Sequence, residues 1–141
     1  MAILNYTTQI DCHKTIGEIQ KILAKKYANG FLINYADGEP DSLIFTMPVR
    51  DQTISFRLPS NWRKVLTVIN RDKTIPVKLK TNEQAKRVAW RIVKDWIEAQ
   101  MALIEAELVE PFEIFLPYSV MKNGQTLFEN FVDNPSRLLT Q

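Results

Sequence analysis

The sequence predicts an α+β domain in which an antiparallel sheet is packed by one long central helix. Three observations carry that expectation. Short runs of β-branched and aromatic residues follow one another with only turn residues between them, which calls for antiparallel hairpins. Apolar residues recur at helical spacing over residues 82–107. A chain of 141 residues, 45% apolar and 24% charged, has the size and balance of an ordinary single globular domain, taken here as residues 1–141. The element order is β-α-β-β-β-α-(β)-α with a short C-terminal helix. Three consecutive strands between the first two helices make a ferredoxin-like topology a poor fit.

Residues 4–11 (LNYTTQID) are rich in β-formers and read as a first strand. Thr15 and Glu18 have the spacing of a capping box, and Ile16, Ile19, Leu23 and Tyr27 then recur at helical spacing. Asn29-Gly30 is expected to end this helix, because both residues tolerate the left-handed conformation. Residues 31–35, 42–49 and 53–58 read as strands, joined by turns at 37–40 and 50–52. Ile54, Phe56 and Leu58 alternate with Thr53, Ser55 and Arg57, so one face is buried and Arg57 lies on the other. Pro59 stops the sheet, Ser60 can cap, and residues 61–70 form a short helix with Trp62, Leu66 and Ile69 on one side. Ile75, Val77 and Leu79 alternate with Lys78 and Lys80 in a possible edge strand.

Thr81 to Gln84 form a second capping box and open the longest helix. Ala85, Ala89, Ile92, Trp96, Ala99, Leu103 and Ala106 make one apolar seam, and Trp90, Val93, Ile97, Ile104 and Leu108 flank it. One sheet face covers one stripe. Covering both calls for another subunit, hence a homodimer or higher homo-oligomer, or for the C-terminal segment to fold back over it. Residues 112–120 read as extended or irregular, Asn123-Gly124 as a turn and 126–132 as the terminal helix.

No run reaches the roughly 18 uninterrupted apolar residues of a membrane span, and the first residues lack a basic stretch followed by an apolar core, so a cytoplasmic, non-membrane protein is expected. The lone Cys12 agrees with a reducing compartment.

Catalytic chemistry finds little to work with. Cys12-His13 is the only Cys/His pair, and neighbours on an extended strand point to opposite faces. The Asp37, Glu39 and Asp41 cluster is explained as a hairpin turn by Gly38 and Pro40. With no Gly-rich phosphate loop and no GxSxG motif, the chain is expected not to be an enzyme and to need no cofactor or metal.

Charge is more informative. Residues 50–94 carry twelve Lys and Arg against three acids, whereas residues 95–141 carry two against eight. Such segregation points to a polyanion or an acidic surface as partner. Lys86, Arg87 and Arg91 crowd the start of the long helix and Glu98, Glu105 and Glu107 its end, the reverse of what the helix dipole favours. Stability does not account for that order, but an anion site at the helix N-terminus does. The expected anion-binding residues are Arg57, Arg63, Lys64, Lys78, Lys80, Lys86, Arg87, Arg91 and Lys94, with Trp90 beside them as a candidate stacking platform.

The stretches Gln84-Ala85-Lys86-Arg87-Val88-Ala89-Trp90-Arg91, Trp96-Ile97-Glu98-Ala99-Gln100 and Phe115-Leu116-Pro117-Tyr118, with residues 16–23 and Phe56-Arg57-Leu58-Pro59, resemble small uncharacterised proteins carried by bacteriophages and prophages. That resemblance covers most of the chain and brings no catalytic residues. It implies a phage-type role in the host cytoplasm, either handling DNA or RNA or disarming a host defence. The first would bind nucleic acid through its phosphate backbone. The second would inhibit an immune complex such as CRISPR or sequester an anionic signal nucleotide.

Overall fold

Turn chemistry builds the sheet. In the computed structural model, which describes residues 1–135, strands β1 (Gly30–Ala36), β2 (Glu39–Val49) and β3 (Gln52–Arg57) pair in sequence order as an antiparallel meander. Asp37 and Gly38 adopt left-handed φ angles of 52° and 79° at the first hairpin, and Arg50 one of 56° at the second. Two-residue hairpins need that backbone twist. The register sets Phe45 against Phe31 on one side and Phe56 on the other. The expected alternation holds: Phe56 and Leu58 are buried with Leu43, Phe45 and Met47, while Arg57 lies on the opposite face.

Helix α1 (Cys12–Ala24) begins one turn earlier than the Thr15 box predicts. Asp11 is the cap, its carboxylate accepting from the His13 amide at 2.9 Å, and this nearer acceptor displaces Thr15, which is fully buried. The helix ends at Ala24 without a left-handed residue, so the expected role of Asn29-Gly30 is also corrected. Gly30 belongs to β1, where a Cβ would stand 2.8 Å from Thr46 Oγ1. Close strand approach, not turn geometry, requires glycine there.

Residues 4–11 are not a strand. Asn5 takes a φ of 66° and its carbonyl accepts from the Thr8 amide at 3.0 Å, so the segment turns on itself. Among the described residues no strand partners it. The Gln84 carboxamide donates instead to the carbonyls of Tyr6 (2.8 Å) and Thr8 (2.9 Å). The open edge of β3 is met from the other end of the chain, where Val120 donates to the Ser55 carbonyl at 2.8 Å.

Helix α2 (Trp62–Arg71) is capped by Asn61, not Ser60, whose hydroxyl is drawn to the Asp41 carbonyl at 3.4 Å. The expected edge strand near residues 75–80 is a 3-10 turn, Val77–Leu79. Pro76 has no amide for a ladder, and its carbonyl accepts from the Leu79 amide at 3.0 Å. Ile75 is buried beneath the turn with Ile69 and Val88.

Helix α3 (Asn82–Glu105) is the central helix, about 36 Å long at 1.5 Å per residue. Thr81 caps it as predicted, but Gln84 does not close the box because its side chain is committed to the N-terminal segment. Trp90, Val93 and Ile97 enter the main core with α1 and the sheet. On the other side Val88 and Ile92 pack with Ile69 and Val65 of α2 and with Tyr6. Both stripes are therefore covered within one chain over the first four turns. Leu103 and Ala106, at the far end of the seam, remain exposed.

The segment expected to be irregular after Pro111 is helical: α4 (Pro111–Phe115) runs into a 3-10 turn, Leu116–Tyr118. Pro111 at the first helical position and the reciprocal bonds of Glu110 and Glu113 nucleate it. Its purpose is aromatic packing, with Phe115 centred 5.1 Å from Phe45 and 5.9 Å from Trp96. Gly124 turns with a φ of 87° as predicted, and the expected terminal helix is α5 (Leu127–Asp133), capped reciprocally by Thr126 and Glu129. The result is one α+β domain.

Candidate functional site

The ten residues expected to hold an anion do not form one stripe. Four are engaged inside the protein. Trp90 is 2% exposed, closed over by α1 and the sheet, so the expectation that it stacks on a ligand is corrected. Arg91 donates to Glu18 at 2.5 Å and to Thr15 Oγ1 at 3.3 Å, and its side chain is only 13% exposed. Lys94 pairs with Glu98 one turn along α3. Arg87 lies against its own helix, donating through Nε and Nη2 to Gln84 Oε1 at 3.0 and 2.7 Å. The helix N-terminus reading of α3 therefore loses most of its cations to local partners.

The cations that remain gather along α2. Its ten residues, WRKVLTVINR, include no acid, and Ile69 and Val65 face α3. Arg63, Lys64, Thr67, Asn70 and Arg71 are exposed. Beyond its C-terminal end, Lys80 donates to the Asn70 carbonyl at 3.3 Å, and Lys78 stands exposed on the 3-10 turn beside it. The adjacent Asp72 is occupied by Thr74, whose hydroxyl and amide donate to its carboxylate at 2.6 and 2.9 Å. Those two bonds hold its carboxyl below the usual range. At the other end, Trp62 gathers two cations over its ring: the Arg63 guanidinium at 4.6 Å and the Lys86 ammonium at 5.0 Å. Asp41 fixes this corner by accepting from the Trp62 indole at 3.3 Å and standing 3.7 Å from Arg63.

A cleft of about 620 Å³ opens beside that corner. Arg57, Arg63 and Lys64 line one part of it and Tyr118, Phe128 and Glu129 another. Arg57 is held by the Gly124 carbonyl at 3.0 Å and by Glu129 at 3.6 Å, so two of the three cations are oriented but not sequestered. Asp41 and Glu129 are the acids of the cleft, whereas Glu105, Glu107, Glu110 and Glu113 are exposed at and beyond the far end of α3.

Cys12 and His13 are neighbours on a helix, not on the expected strand. Cys12 faces the core, where burial first, then Glu39 and Asp11, pushes its thiol up to about 11. His13 is exposed and stacks on Tyr35, centroids 6.0 Å apart. Asp37 sits in the hairpin turn, apart from the role of Asp41 at Trp62. Among the described residues no three His, Cys, Asp or Glu side chains gather as metal ligands would, and no helix is long and apolar enough to cross a membrane.

Trp62, Tyr118 and Phe128 are members of this surface that the sequence reading passes over. Trp62 carried a signal, standing beside Arg63 and Lys64 in a segment where residues 57–80 hold seven Lys and Arg against Asp72 alone. For Phe128 the signal is an excess of apolar residues, Leu127, Phe128, Phe131 and Val132, in a helix of seven. No family model matches the chain, and neither curated proteins nor solved structures give a match.

Proposed function

We propose that this chain is a non-enzymatic binding protein for the phosphate backbone of nucleic acid, with α2 as its contact ridge. One observation carries the reading: α2 contains no acidic residue of its own, and cations gather at both of its ends. It has Arg63, Lys64 and Lys86 at its start and Arg71, Lys78 and Lys80 at its finish, about 15 Å apart by helix rise. A side chain that contacts phosphate through charge alone carries no base preference, so binding is expected to be weakly sequence-dependent and steeply salt-dependent. The acidic end of α3 would orient approach by repelling the polyanion from the opposite pole.

Anisotropy of labelled single- and double-stranded DNA and RNA at low and moderate salt tests this. Binding is expected to weaken with salt, and Lys64→Ala, Arg71→Ala and Lys78→Ala each to lower the logarithmic salt slope by about 1. Absence of binding to every one of these ligands at low salt would remove the reading.

The cleft favours a second reading, sequestration of a small anionic nucleotide, which suits a phage protein that disarms a nucleotide-signalling defence. Its volume of about 620 Å³ lies within the range of small-ligand sites, and three cations line it against two carboxylates, Asp41 and Glu129. Mass spectrometry of the cell-purified protein after denaturation is expected to find a co-purified nucleotide on this reading; its absence counts against it.

A further inference from the structure

Phe128 is 60% exposed on α5, at the edge of the cleft that Arg63 and Lys64 also line. Leu127 and Phe131 of the same helix are half-buried and supply its attachment. Phe128 instead continues an exposed apolar patch with Leu116 and Val132, and such a patch beside cations marks a contact surface. Tyr118, also lining the cleft, is held by its edge-on packing against Trp96, centroids 5.6 Å apart at 75°, so its ring is fixed before any ligand arrives. Aromatic rings beside a basic track are the means by which proteins hold unpaired bases, since every base offers a π-face whatever its sequence.

We infer that the ligand of the α2 ridge is single-stranded, with one unstacked base lodged in the cleft against Tyr118 and Phe128 and its adjoining phosphate at Arg63 and Lys64. This rests on the backbone-binding reading and adds the form of the nucleic acid. A duplex keeps its base faces stacked and could engage only the ridge. A strand engages both, with the phosphates leading from the cleft mouth along Thr67 and Asn70 toward Arg71 and Lys78. Arg63 and Arg57, loosely paired to Asp41 and Glu129 at 3.7 and 3.6 Å, turn to the incoming phosphate without leaving a buried charge behind.

The test compares a short oligothymidylate strand, its duplex with oligoadenylate, and thymidine monophosphate, against the intact protein and the Phe128→Ala and Lys64→Ala variants. Strand binding is expected to exceed duplex binding by about tenfold or more. Phe128→Ala is expected to weaken the strand by about five- to hundredfold, the measured range for one base–aromatic stack, and to leave the duplex unchanged. Lys64→Ala should weaken both. A strand carrying 2-aminopurine should show quenched fluorescence on binding, and Phe128→Ala should restore it. Thermal unfolding verifies that the exposed Phe128 is dispensable for folding. Equal affinity for strand and duplex, or unaltered strand binding by Phe128→Ala, overturns the inference and leaves the ridge standing. Monophosphate binding as tight as the strand overturns it in favour of a nucleotide site. No binding of any probe at low salt removes the backbone reading and this inference with it.

Discussion

Arg91 on α3 and Glu18 on α1 meet at 2.5 Å, and Thr15 Oγ1 accepts from the same guanidinium nitrogen at 3.3 Å. The pair fastens the two helices that enclose the main core. Since the arginine is nearly buried and the glutamate partly so, its removal falls between the exposed and the fully buried case. Arg91→Ala is expected to lower stability by about 1–3 kcal/mol in urea unfolding, and a Glu18→Gln cycle to show coupling. Strand affinity and its salt slope should stay unchanged. A variant that keeps its stability and loses affinity would make Arg91 a ligand contact after all.

Gln84 does the work of a missing strand. Its amide nitrogen serves the Tyr6 and Thr8 carbonyls and its oxygen takes Arg87, so replacing it strands three polar groups at once. Gln84→Ala is expected to cost about 1–3 kcal/mol. Faster hydrogen exchange confined to residues 2–9 would be the local signature, and unchanged exchange there would contradict the assignment.

Trp62 and Trp90 should part company. Trp90→Ala empties a core site and is expected to destabilise by about 3–5 kcal/mol. Trp62→Ala removes a half-exposed ring and should cost about 1 kcal/mol or less, while weakening oligonucleotide binding by releasing Arg63 and Lys86. Iodide should quench Trp62 and spare Trp90, which a single-tryptophan series can read.

Cys12 gives a pH-dependent outcome. Its thiol rises from 9.0 to about 11 in the folded protein, chiefly through burial, so the native state holds the proton more tightly than the unfolded chain. The corresponding stability is intact below pH 9 and is lost as pH climbs from 9.0 toward about 11. Cys12→Ser should show a smaller loss across that window in urea titrations. At pH 8 the native thiol should also react slowly with iodoacetamide and quickly once unfolded.

Features that depend on adjacent residues were legible along the chain. Asp37-Gly38, Pro59, Thr81 and Asn123-Gly124 punctuate the chain correctly, because turn and cap energetics act within four or five residues. The alternation of residues 53–58 and the period of α3 likewise placed Phe56, Leu58, Val93 and Ile97 in the core. The basic bias of residues 50–94 was also legible, as composition.

Which local option won, and which charge was left over, depended on contacts made in the folded chain. Thr15 could cap, but Asp11 lay nearer and Thr15 was needed by Arg91. Residues 4–11 had β propensity, but Asn5 turned the segment on itself and Gln84 took its carbonyls, while Ser119 and Val120 reached the edge of β3. Arg91 and Lys94 look as free as Lys64 along the chain. They differ because Glu18 arrives from α1 and Glu98 from the next turn, whereas among the described residues no carboxylate pairs with Lys64. Charge belongs to a residue type, but availability belongs to the neighbours that folding brings, and those sit up to 73 residues away in the case of Arg91 and Glu18.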